Sequence, residues 1–291
     1  MPQQASAWTL AYVMCIPGAV TIPSIPTRRV DSAEELQTFL MADPINRAYQ
    51  LGDLDPSYLP YTTWYGAGGV GELRALVLVY TGLSLPVLIT CGDDIGLRAV
   101  LEQYGRDLPR RAMLHMPVEH LEVVNNRRLQ EALRPMVRMG MAVDRFKPVN
   151  GSSEYVVRRL GMADIGAIME LFAFYRDNFF EPAQLSTGHY YGIELDGRLA
   201  SVAGVHVFSP QVGVACVGNI VTHPDFRGRG LSTECTSFLC SKLADSGVRI
   251  FALNVERSNA SAIRVYQKIG FSEHSTYLEG EISHGLIGVQ R

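Results

Sequence analysis

Residues 212–234, VGVACVGNIVTHPDFRGRGLSTE, constrain this chain more than any other stretch. An apolar, β-branched run reads as a buried strand and ends in Arg227-Gly228-Arg229-Gly230. An amphipathic helix begins near Leu231 and is closed by Gly247. A strand that feeds a helix through two glycines leaves the first-turn N–H groups without intrahelical partners. The helix dipole adds roughly 0.3–1 kcal/mol in favour of an anion there. Gly228 and Gly230 let a ligand approach the backbone, Arg227 and Arg229 add charge, and Ser232 adds a hydroxyl. The junction reads as a diphosphate cradle. A solvent-facing turn with two surface arginines is the alternative when it is taken alone.

A second segment follows, Asn259-Ala-Ser-Ala262-Ile-Arg-Val-Tyr266-Gln-Lys-Ile-Gly270-Phe271. Ala262, Val265, Tyr266 and Ile269 recur at helical spacing, which predicts an amphipathic helix ending at Gly270. By itself Tyr266 reads as readily as a core tyrosine. Together, P-x-x-R-G-x-G and N-x-x-A-x-x-x-Y-x-x-x-G-F resemble the GNAT acyl-CoA N-acyltransferase superfamily over roughly Glu154 to Arg291.

The resemblance implies a mixed α/β fold with a mostly antiparallel sheet flanked by helices. It implies acetyl-CoA, or another acyl-CoA, as co-substrate. The amides from Arg227 through Gly228, Arg229, Gly230 and Leu231 to Ser232 would hold the coenzyme A pyrophosphate. Asn219, Ile220 and Val221 would pair with the pantetheine arm from a strand splayed from its neighbour. Asn259, with Ala262 in the same segment, would contact the cofactor arm. Tyr266 would lie near the thioester sulfur as its proton donor.

The rest of the chain bounds this reading. With 291 residues, 47% of them hydrophobic and 19% charged, it can bury a real core. A net charge of −3 without a basic block gives no footprint for nucleic acid. Five cysteines without a C-x-x-C pair and seven histidines without H-E-x-x-H read as reduced thiols in a cytoplasmic protein with no metal site. Residues 1–29 read as a loosely ordered leader, its apolar stretch at 8–20 being too short to span a bilayer. The expected partners are a small-molecule or peptide amine, with no nucleic acid or membrane, in a monomer or homodimer.

KPVNGSS at 147–153 has linker composition. It divides an N-terminal α/β domain, 30–147, from the acyltransferase domain, 154–291. The first half shows a helix from Asp31, strands at 72–80 and 85–90, a capped helix at 93–105, and a mostly helical run at 126–141. It reads as a degenerate copy of the second half, and the fold class is two tandem α/β domains. Gly66-Ala67-Gly68-Gly69-Val70-Gly71 fits G-x-G-x-x-G, but a strand pattern follows where a dinucleotide site needs a helix. A hairpin turn is the better reading. The stretch at 43–65 is rich in aromatic and acidic residues, which suits either a cationic acceptor or a loop with core anchors.

The chemistry expected is acetyl transfer to a primary amine by direct attack in a ternary complex. A lysine-like amine with pKa ~10.4 must lose its proton, at a cost of about 4–5 kcal/mol at pH 7. The Val221 amide would polarise the carbonyl, and Tyr266 would protonate the leaving thiolate. His223, Glu194 and Glu256 are open alternatives for the base. A non-catalytic acyl-CoA sensor is the competing reading.

Overall fold

The computed structural model describes residues 25–124, 133–149, 155–175, 179–283 and 286. The expected leader falls outside them up to residue 24, as do residues 150–153 of the expected linker and residue 154 after it.

The chain runs through two similar series. The first is β1 (Thr27–Arg29), α1 (Ala33–Leu40), α2 (Ala48–Gly52), β2 (Thr62–Gly69), β3 (Glu72–Tyr80), β4 (Val87–Gly92), α3 (Asp94–Tyr104), β5 (Ala112–Pro117), α4 (Leu121–Val124) and β6 (Arg134–Ala142). The second is β7 (Val157–Arg159), α5 (Ile165–Phe172), β8 (Tyr191–Leu195), β9 (Arg198–Ser209), β10 (Val214–Thr222), α6 (Leu231–Asp245), β11 (Ile250–Glu256), α7 (Ala260–Ile269) and β12 (Ser272–Ile282). In each, four antiparallel strands lead through a helix to a parallel fifth: β4 pairs β5, and β10 pairs β11. The sixth strands are exchanged, so that β6 lies against β11 and β12 against β5. They also pair with each other, giving one 12-stranded sheet in the order β1-β2-β3-β4-β5-β12-β6-β11-β10-β9-β8-β7. The repeat has no sequence period because burial and pairing, not residue identity, are what it preserves.

Helices cover both faces. Leu97 and Val100 of α3 pack on Ala75, Val77 and Leu88 of the first half. Cys235, Leu239 and Leu243 of α6 pack on the second half. Leu36, Leu40 and Leu51, from α1 and α2, form a cluster with Leu76 and Ile89 of the first half and with Val214 and Cys216 of the second. Each wholly buried leucine contributes roughly 1.5–3 kcal/mol. This third cluster seats α2 across the centre of the sheet, above the region that matters below.

The β8–β9 hairpin turns at Asp196-Gly197, with both residues at positive φ. Two expectations hold. The Gly66–Gly71 cluster lies in β2 and in the turn to β3, so no helix N-terminus follows it. Asp93 caps α3, its Oδ1 accepting from the Gly96 amide at 2.7 Å.

Others are corrected. The helix expected from Asp31 begins at Ala33, with Ser32 as its cap, accepting from the Glu35 amide at 3.2 Å. Thr27–Arg29, assigned to a loose leader, pair with β2. The run expected to be mostly helical is strand β6 from Arg134 on, while residues 125–132 lie outside the described residues. β6 is buried on both faces between two strands, so its apolar run has no period-two signature. Pro135 is tolerated near the strand start.

Candidate active site

β10 and β11 pair only over Val214–Cys216 with Ile250–Ala252 and then part. Two residues of β10, Asn219 and Ile220, oppose one of β9, because Gly218 pairs with Gly204 and Val221 with Val202. This bulge bends the strand away from β11. Asn219 takes φ 51, a left-handed conformation that Asn tolerates better than most residues. Its Nδ2 donates to the Tyr190 hydroxyl at 2.8 Å and to Gln184 Oε1 at 3.1 Å.

Past the bulge the register is regular. The His223 N–H donates to the Ala200 carbonyl at 2.8 Å, and the Val221 carbonyl accepts from Ser201 Oγ at 3.0 Å. Alternation along the strand therefore turns the Val221 amide into the sheet. It cannot serve as the expected oxyanion donor. By the same alternation the Thr222 amide faces the gap instead. Tyr175 spans that edge, donating to the Thr222 carbonyl and accepting from Arg227 Nη2 at 2.9 Å.

The turn after β10 carries the glycines at φ 80 (Gly228) and φ 81 (Gly230). Gly230 is the N-cap of α6 and offers no side chain to its first turn. A Cβ at either glycine would meet open space, so the conformation and the room for a ligand, not neighbouring atoms, call for glycine here. The first half shows the opposite at the matching place: the α3 N-terminus is filled by its own Asp93 carboxylate, which also pairs with Arg74 at 2.8 Å. Of the two helix N-termini, only that of α6 has no side-chain cap. Arg227 and Arg229 are both exposed, Arg229 lying over the Phe226 ring at 5.3 Å. Leu231 is buried beneath the turn and Ser232 half-buried.

Asn259 caps α7: its Oδ1 accepts from the Ala262 amide at 3.1 Å and from Ser261 Oγ at 2.9 Å. Tyr266, on the same helix, is 7% exposed and packs edge-on to Phe271. Its hydroxyl has no hydrogen-bond partner among the described residues. Burial pushes its pKa well above that of an ordinary tyrosine.

Beside the gap lies a cavity of about 720 Å³. Its lining joins both halves of the chain. Asn254 enters it from the open segment of β11. His206 enters over β10, so close to Gly218 that a Cβ there would sit 1.9 Å from Nε2. Asn254 Nδ2 donates to Glu279 Oε2 at 3.1 Å, and the same oxygen lies 3.4 Å from His115 Nδ1. Burial lowers the pKa of His115, Glu279 opposing and Arg138 reinforcing the shift. Burial holds His206 at about 4.

The three open alternatives for the base lie elsewhere. His223 packs between Phe174 and Phe226 and accepts from the Asp225 amide. Glu194 pairs with Arg158, and Glu256 accepts from Ser258. None lines the cavity. His115 escaped the sequence reading because it is a lone polar residue in an apolar strand, and Glu279 because it is one of three glutamates in a polar one; they meet only through the β5–β12 pairing. Cys91, Cys216, Cys235 and Cys240 are free thiols, all buried. No helix among the described residues is long and apolar enough to cross a membrane.

Residues 163–271 match the Acetyltransferase (GNAT) family model. The chain is 28% identical over 269 residues to the mycothiol acetyltransferase of Tsukamurella paurometabola, an alignment covering 81% of this chain and 88% of that one. It is 37% identical over 78 residues to the ribosomal protein bS18 alanine N-acetyltransferase of Salmonella typhimurium, covering 27% of this chain and about half, 51%, of that one. Among solved structures, a tandem GNAT protein from the clavulanic acid biosynthesis pathway shares the fold at TM-score 0.51 and 16% identity, over 88% of this chain and 98% of that one. The chain therefore carries a GNAT domain in its second half, within a two-series GNAT-like fold. Its class is that of the acyl-CoA-dependent N-acetyltransferases.

Proposed function

We propose that the chain transfers an acetyl group from acetyl-CoA to a primary amine on a small molecule, by direct attack in a ternary complex. The observation that carries this is the conjunction of an uncapped α6 N-terminus, a parted β10–β11 pair and a cavity opening beside that gap. The turn from Arg227 to Ser232 holds the diphosphate through first-turn amides. The pantetheine arm runs along β10, and the gap-facing Thr222 amide, with Ile220 in the bulge before it, bonds that arm and the thioester oxygen. Asn259 supports this wall by capping α7.

The acceptor enters from the cavity between the halves, whose volume of about 720 Å³ suits a small molecule. His115 is the base, neutral at pH 7 because burial depresses its pKa, and Glu279 beside it stabilises the imidazolium it becomes. The amine nitrogen attacks the thioester carbonyl carbon, the C–S bond breaks, and its electron pair leaves on sulfur. Tyr266 donates a hydrogen bond to that sulfur. Its raised pKa keeps the hydroxyl protonated and makes complete proton transfer to a thiolate unfavourable, so bulk water supplies the proton.

Calorimetric titration with acetyl-CoA, followed by a thiol-release screen over primary amines, tests this. Micromolar binding and amine-dependent release of free thiol are expected. Binding without release from any amine would favour the acyl-CoA sensor instead.

A further inference from the structure

The stretch at 43–65 carries three carboxylates, Asp43, Asp53 and Asp55, and the last two have opposite fates. Asp55 is satisfied, accepting from the Ser57 amide at 3.0 Å and from Ser209 Oγ at 2.9 Å. Asp53 lines the cavity and is only 4% exposed, and its carboxylate has no hydrogen-bond or ion-pair partner among the described residues. A buried, unpaired carboxylate is costly, and a fold that carries one beside a cavity leaves its pairing to something that enters.

The surroundings suit a cation. Asp53, Glu181 and Glu279 are the carboxylates of the lining, and no Lys or Arg is among the described lining residues. Glu181 is already engaged by the amide and hydroxyl of Ser84. Glu279 is engaged by Asn254 and His115 at the reaction end. The charge of Asp53 bears instead on Tyr58 and Tyr80, whose rings meet edge-on at 6.4 Å, and Tyr61 packs on Tyr80 at 6.3 Å. Tyrosine faces beside a carboxylate are a favourable setting for an ammonium group.

We infer that the acceptor is at least a diamine, and that its second ammonium group is held by Asp53 beside the Tyr58–Tyr80 ring pair while the first is acetylated at the His115 end. This rests on the cavity being the acceptor site of the acetyltransferase. Burial pushes the Asp53 carboxyl well above its ordinary pKa, and an ammonium partner brings it back down. The groups sharing its surroundings are Asp55 and Tyr58 on its own segment, Tyr80 on β3 and Cys216 on β10, none of them a cation.

The test is calorimetric titration of the full chain with spermidine and, separately, with butylamine. Spermidine should bind at least tenfold more tightly, and Asp53→Asn should abolish that preference while leaving acetyl-CoA affinity within twofold. Equal affinity for the two amines, or an unchanged preference in Asp53→Asn, overturns the inference. Should Asp53→Asn fail to fold, Tyr80→Leu reads the same subsite. A threefold or greater loss of spermidine affinity is then expected, and no loss overturns it. Loss of acetyl-CoA binding with the spermidine preference intact would sink the acetyltransferase reading and leave the subsite standing.

Discussion

Asn254 Nδ2 donates to Glu279 Oε2 at 3.1 Å, tying the open segment of β11 to β12. Glu279 is also the register partner of His115 on β5. The exchange of sixth strands brings these three residues to one end of the cavity, since β12 crosses to pair with the first half. Glu279→Gln keeps the shape and the Asn254 contact but removes the charge that stabilises a His115 imidazolium. We expect kcat to fall about 10²-fold with acetyl-CoA affinity unchanged. Thiol-release kinetics and calorimetry on the same preparation check this, and a loss confined to KM would reassign Glu279 to acceptor binding.

Gly230 sits at φ 81 with open space around its missing side chain. Gly230→Val therefore strains the backbone by about 1–2 kcal/mol and crowds the anion site at once. We expect acetyl-CoA affinity to drop at least tenfold. Gly197, at φ 71 in the β8–β9 turn, supplies the control. Gly197→Val should lower Tm comparably and leave acetyl-CoA binding intact. Equal binding losses in both variants would mean that only stability is being read.

The two catalytic-half segments were legible because their signals are local: glycines at a strand–helix junction, and a helical period ending at Gly270. The bulge was not. Val221 reads as the gap-facing residue until the extra residue at Asn219–Ile220 and the His223–Ala200 bond fix which way its amide points. β6 was misread as helix because a strand buried on both faces shows no alternation. His115 and Glu279 were invisible because strand exchange is a long-range pairing that no short window encodes. The acidic and aromatic stretch at 43–65 was noticed, yet only the fold distinguishes Asp53, open to the cavity, from Asp55, bonded to Ser209.

Asp93 closes the α3 N-terminus that corresponds to the open one on α6. Asp93→Ala should cost about 1 kcal/mol of stability through the lost cap and leave acetyl-CoA binding unchanged. Burial raises the Asp93 pKa, but the Gly96 amide and Arg74 outweigh it and the net shift is downward. Its contribution is thus complete above the unfolded carboxylate pKa of about 3.9 and is lost as pH falls through the lower folded value. Urea melts of wild type and Asp93→Asn between pH 2 and 6 should converge at the acid end. A constant difference across that range would show that the charge is not what stabilises α3.

Tyr266 separates the enzyme from the sensor. Its ring is part of the core, packed on Phe271, while its hydroxyl has no hydrogen-bond partner among the described residues. Tyr266→Phe therefore removes one oxygen without breaking a protein hydrogen bond or leaving a buried partner unmet, and Tm should move little. An enzyme that uses the hydroxyl to stabilise the leaving sulfur loses about 10–10²-fold in kcat and keeps acetyl-CoA affinity within twofold. Because the hydroxyl acts by hydrogen bonding, the loss should be smaller with an acyl donor whose leaving thiol has a lower pKa, since less charge then needs stabilising. A kcat unchanged by the substitution would remove Tyr266 from the reaction. A kcat lost equally with good and poor leaving groups would place its role in positioning the thioester.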